Sequence, residues 1–283
     1  MLWTALTISI IWRILHIHIF SYLSKEISNK WNLATRRWLI LIITMLPILY
    51  FADFSKLDVF IEYRYFVVIL GFVGALSLYC NFHAQAELPS GVYSVLLRAR
   101  IPVVLVLWFL ILGDSLAIRE YAWIALILIS SVLMVVHIGS NNTHVKYSRS
   151  WIRYMLIRIT TDAARVIGMW FFVKNGDRAL SAYILELNIA IALLIVSAVK
   201  QHISIPSSKE LRYILLAWLC VLAGTWWMAF ATKLSNASFV TGALAAIPIG
   251  NAILWKLFYD EDLTIQQRIA VLITVLGIGV MNL

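Results

Sequence analysis

The sequence predicts an all-α polytopic membrane protein with ten transmembrane helices in two five-helix repeats. Three observations carry that expectation. Apolar residues make up 62% of the 283 positions and charged residues only 13%, with a mean hydropathy of +0.88, which leaves too little polar surface to coat a soluble globule. The apolar residues also fall into ten runs of near-uniform length. Finally, a stretch in the first half returns in the second.

The runs cover 2–20, 34–51, 64–86, 90–112, 119–138, 151–173, 180–199, 210–232, 236–258 and 265–283. A helix rising about 1.5 Å per residue crosses about 30 Å of hydrocarbon in about 20 residues, so each run is one span. The run at 2–20 has no basic lead and no small-residue cleavage site after it, and reads as a span rather than a signal peptide. The polar stretch 141–150 divides a first repeat, 1–140, from a second, 151–283. An odd number of spans per repeat gives the two repeats opposite orientations in the membrane. Lys and Arg number twelve beside the links after the odd-numbered spans and six beside the others, which favours the former as cytoplasmic. Cys80 and Cys220 both lie inside apolar runs and are too few for a disulfide framework.

Charges inside spans carry the most information, because an ionised side chain at the bilayer centre costs about 2.5–3.5 kcal/mol and must face protein or water. Arg13 lies mid-span with His16 one turn on, Arg98 and Arg100 in the fourth span, Arg158, Asp162 and Arg165 in the sixth, and Glu186 with Asn188 in the seventh. The spacing of Arg158, Asp162 and Arg165 puts all three on one helix face. They form either a packing ladder or a pair in which one arginine is left to face an anion. Arg98 and Arg100 are two residues apart and cannot share a face, so only one, taken to be Arg98, points at a central cavity, and the other reaches an acidic partner or snorkels. Five arginines against Asp162 and Glu186 leave three positive charges, which a negative substrate would relieve. The chain's net charge of +9 has the same sign, and basic links also suit anionic lipid headgroups.

Tyr79, Asn81, His83, Trp170, Trp226 and Trp227 occupy the halves of their spans nearest the bundle centre, where they serve as stacking walls or, alternatively, as interfacial anchors. His16 and His18 lie on opposed helix faces with no Cys or acid to complete a ligand set, so no metal and no cofactor is expected. His16 and Asp162 are candidates for proton coupling and, with Glu186, for charge balance. Walker loops, nucleophile elbows and HExxH are absent from the sequence, so no enzyme, no ATP-driven pumping and no nucleic-acid partner is expected.

The repeated stretch is ELPSGVYSVLLRARIPVVLVLWFLILGDSLAIRE at 87–120 and KLSNASFVTGALAAIPIGNAILWKLFYDEDLTIQQR at 233–268. Pro102 falls on Pro248 at an offset of 146, and SLAIRE runs beside DLTIQQ. A polar break, a helix with a central proline, an acidic turn and Leu-x-Ile, once per half, resembles the drug/metabolite transporter superfamily. It is similar to the ten-helix EamA-like branch and more weakly to the nucleotide-sugar and triose-phosphate transporters. The resemblance implies inverted repeats around a central cavity lined by helices 1, 3, 4, 6, 8 and 9. It also implies alternating access, with the fifth and tenth helices serving a homodimer. Phosphate-carrying relatives place a basic residue four before the helix-4 proline, where Arg98 stands. At the matching place before Pro248 this chain has Leu244, so the second basic site is missing.

The expected function is therefore secondary-active transport of a small anionic metabolite, whether carboxylate, phosphorylated or nucleotide-type, in a bacterial inner membrane. Arg13, Arg98, Arg158, Arg165, Tyr79, His83 and Trp227 would bind the substrate. The alternatives are a flippase or exporter of an amphipathic or polyprenyl-phosphate-linked substrate, which needs a lateral gap leading to the arginines, and a nontransporting membrane scaffold, which needs every arginine paired internally.

Overall fold

Every regular element among the described residues is helical. The computed structural model describes residues 1–27, 29–88, 90–100, 150–200, 207–234 and 264–281, with isolated positions between 103 and 133. The helices are α1 (Leu2–Glu26), α2 (Lys30–Met45), α3 (Leu57–Glu62), α4 (Arg64–Glu87), α5 (Ser90–Arg98), α6 (Ser150–Asn175), α7 (Arg178–Val199), α8 (Ser208–Leu234) and α9 (Ile265–Met281). Among the described residues α1, α4 and α7 contain stretches long and apolar enough to cross a membrane.

Local chemistry sets the ends. Asn29 caps α2, its side chain accepting from the Asn32 amide at 3.1 Å, and Asp177 caps α7 by accepting from Leu180 at 2.7 Å. The α1–α2 turn is held by Lys30, whose ammonium donates to the Ser24 carbonyl and, at 2.5 Å, to that of Ile27, placing a cation at the C-terminal end of α1. The predicted span 34–51 is α-helical only to Met45. Pro47 lacks an amide hydrogen, and Leu46–Phe51 continues as 3-10 helix. The link at 52–63 contains the short α3, which sequence reading missed. The span 236–258, the linker residues 141–149 and the Gly113–Asp114 turn lie outside the described residues.

Helix α4 is the hub, packing on α6, α7, α1 and α2, while α1 lies along α8 and α2 along α7. Three apolar clusters fill the contacts. Phe20, Leu33, Trp38, Phe82, Ile189 and Leu193 join α1, α2, α4 and α7. Tyr93, Leu96, Trp151, Met155 and Val271 join α5, α6 and α9. Phe60, Leu70, Phe172 and Leu185 close the opposite end of α4 against α6 and α7. Buried hydroxyls stitch the helices together: Ser9 donates to the Gly224 carbonyl at 2.8 Å, and Thr35 meets Ser197 at 2.7 Å.

At one face, α8 begins with a capping box. The Glu210 carboxylate accepts from the Ser207 amide at 2.8 Å, and the Ser207 hydroxyl accepts from the Glu210 amide at 3.2 Å. The same carboxylate meets Arg36 of α2 at 2.8 Å. A cavity of about 180 Å³ beside it is lined by Tyr22, Glu26, Lys209, Glu210 and Tyr213, and none of the arginines inside the bundle borders it. Glu210→Ala removes the carboxylate half of the capping box and the ion pair, and a loss of about 1 kcal/mol is expected by thermal unfolding in detergent. Glu210→Gln retains the capping acceptor and should lose less.

Candidate functional site: a guanidinium cluster in the helix bundle

Asp162 is fully buried and lies on the face of α6 that the spacing predicts. Arg158 donates to its Oδ1 at 2.8 Å, Arg165 approaches the same oxygen at 3.6 Å, and Arg100 reaches across to Oδ2. Both helix-6 arginines thus meet Asp162, with Arg100 as an added partner. Arg158 is also held by α4, donating from Nε to the Asn81 amide oxygen at 3.2 Å and from its terminal nitrogen to the Ser77 hydroxyl. The Tyr93 hydroxyl donates to the same Asn81 oxygen. Ser77 and Asn81 are one turn apart on α4, so a single face of that helix presents both acceptors.

Glu186 of α7 continues the network. Its Oε1 takes Arg165 at 3.3 Å and its Oε2 accepts from the Trp38 indole at 2.9 Å. The four carboxylate oxygens of Asp162 and Glu186 are thereby all engaged.

The remaining cations sit around this network. The stem of Arg13 lies against α8, where a Cβ on Gly224 would come within 3.2 Å of its Cγ, so glycine allows the close approach. Arg98 lies within electrostatic reach of Arg100 and Arg13. Arg37, counted above with the link charges, lies instead in the interior of α2. Its guanidinium is 4.0 Å from the Phe20 ring centroid and donates to His16 Nε2 at 3.1 Å. It lies within electrostatic reach of Arg158, Arg165 and Glu186. Because an arginine only donates, that His16 nitrogen is an acceptor and the imidazole is neutral.

Tyr79 and His83 occupy a neighbouring stripe of α4 and meet rings rather than arginines. Tyr79 stacks on Trp31 at 4.3 Å, His83 on Tyr154 at 4.4 Å, and Lys200 sits over Trp31 at 5.1 Å. Trp227 is in α8, and its side chain lies outside the described residues. Among the described residues no group of three His, Cys, Asp or Glu side chains is placed to hold a metal.

The sequence reading missed Arg37, Ser77, Tyr93 and Trp38. A signal for the first was available, because Arg36 and Arg37 are adjacent and about 100° apart on a helix. When one reaches out to the part-buried pair with Glu210, the other turns toward α1 and α4.

These features define a helical membrane protein with a cation-rich interior. Residues 168–283, from the second half of α6 through α9, match the EamA-like transporter family, part of the drug/metabolite transporter superfamily. The chain is a transporter-type, multi-pass integral membrane protein. No curated protein matches the chain.

Proposed function

We propose that the chain is a secondary-active carrier that moves a small anionic metabolite, a carboxylate, phosphorylated or nucleotide-type compound, across a bacterial inner membrane. Transport runs by alternating access between two inverted five-helix repeats. The observation that supports this most is charge. Among the described residues, Arg37, Arg98, Arg100, Arg158 and Arg165 stand inside the bundle against Asp162 and Glu186, five positive groups against two negative, which leaves three. In the spans read from the sequence, the other carboxylates fall in links or near span ends. A substrate bearing negative charge offsets this imbalance in a medium of low dielectric.

The residues divide the work. Arg158 and Arg165, locked to Asp162 and Glu186, keep the site open and positive. Arg98 and Arg13 meet the anion, and the Tyr79 and His83 stripe with Trp227 forms the adjoining wall. Asp162 and Glu186 set the charge balance with neutral His16 beside them. Without a nucleotide-hydrolysing motif, movement is driven by exchange or by an ion gradient.

Uptake of a mixed pool of labelled anions into proteoliposomes tests this reading. Arg98→Gln should reduce uptake by about tenfold or more, the weight of a charge-assisted hydrogen bond. If wild type moves no anion, or if Arg98→Gln transports as wild type does, the reading fails.

A further inference from the structure

We infer that Arg37 of α2 is a ligand of the transported anion, held for it by His16 and Phe20. This rests on the anion-carrier reading above and assigns a helix outside the set that the family resemblance places around the cavity.

A guanidinium inside a membrane bundle needs a negative partner. Among the described residues the carboxylate within electrostatic reach of Arg37 is Glu186, and its two oxygens are taken by Trp38 and Arg165. Asp162 is shared among Arg100, Arg158 and Arg165. Among the described residues Arg37 therefore has no carboxylate within ion-pair distance.

Its hydrogen bonding is equally incomplete. A guanidinium carries five N–H donors, and among the described residues one of them is used, on His16. What Arg37 does have is orientation. Phe20 lies 4.0 Å from it, Trp38 5.3 Å and Phe82 5.6 Å, rings that fix the plane by cation–π contact without neutralising the charge. His16 is itself braced edge-on against Phe20 at 4.9 Å. The result is a planar fork fixed in position, with its charge and most of its donors uncommitted among the described residues. That geometry suits two oxygens of a carboxylate or phosphate, which accept a pair of parallel N–H bonds.

The experiment uses the full chain in detergent, with succinate and inorganic phosphate as probes and thermal unfolding as the readout, in wild type, Arg37→Lys, Arg37→Gln and Arg36→Gln. At least one probe should stabilise wild type saturably, and Arg36→Gln should respond alike. Arg37→Lys, which keeps the charge but not the fork, should need about tenfold more of that probe. Arg37→Gln should lose the response while its ligand-free midpoint stays level or rises, because an uncompensated charge has been removed. An arginine that merely braces helices would lower that midpoint. If Arg37→Gln responds to the probe as wild type does, or if its ligand-free midpoint falls, the assignment is overturned and the carrier reading stands. If wild type neither responds to a probe nor takes up any anion, both fall together.

Discussion

Asp162→Asn should destabilise the folded chain by about 3–5 kcal/mol, the cost of removing one member of a buried ionic set. Asp162 is 0% exposed and is the charge on which Arg100, Arg158 and Arg165 converge. Asparagine keeps the shape but not the charge, and its amide nitrogen would be turned toward groups that only donate. Of the three guanidiniums only Arg165 would keep a carboxylate, Glu186, and the interior excess among the described residues would rise from three to four. Thermal unfolding in detergent reads the loss. A companion variant, Arg100→Met and Arg158→Met with Asp162→Leu, removes the carboxylate together with the two guanidiniums that have no other carboxylate among the described residues, and should recover much of it, since apolar replacement of a buried ionic set is often neutral. An unchanged midpoint for Asp162→Asn would mean that the three arginines draw their compensation from elsewhere.

How far the sequence could be read follows from what each kind of interaction needs. The helical class was legible because hydrocarbon demands about 20 apolar residues per span, and composition records that directly. Within α6, Arg158, Asp162 and Arg165 could be put on one face because helical spacing is local information. The partners were not local. Arg100 to Asp162 spans 62 residues, Trp38 to Glu186 spans 148 and Arg36 to Glu210 spans 174, and no periodicity within one helix encodes them. Arg37 was misread for a related reason. Beside Arg36 at the edge of an apolar run it looks like a topology charge, and only the docking of α2 against α1 and α4 turns it inward. Lys30 is a second such case, since it spends its charge on the end of α1 rather than on a loop. Counting basic residues beside links therefore overstates the contrast between the two faces.

Gly71→Ala should cost about 1–3 kcal/mol, and Gly74→Ala should be nearly neutral, although the added atom makes the closer contact at Gly74. A Cβ at Gly74 would fall 2.5 Å from Cδ1 and Cγ1 of Ile189, side-chain atoms that a rotamer change moves without displacing a helix. A Cβ at Gly71 would fall 2.8 Å from the Asn188 carbonyl oxygen and 3.0 Å from its carbon, which are backbone atoms of α7 and cannot rotate away. Alanine at either site also gains about 1 kcal/mol of helix propensity over glycine, enough to offset a rotamer change but not a displaced helix. Displacement at this point would reach the charged network. Asn188 is two residues from Glu186, so moving α7 off α4 draws that carboxylate away from Arg165 and Trp38, whose bonds to it are 3.3 and 2.9 Å. Gly71→Ala should therefore lower anion uptake together with the unfolding midpoint, whereas Gly74→Ala should leave both within error. Equal midpoints for the two variants would show that α4 and α7 are free to separate by a few tenths of an ångström, and that their close contact does not fix the position of Glu186.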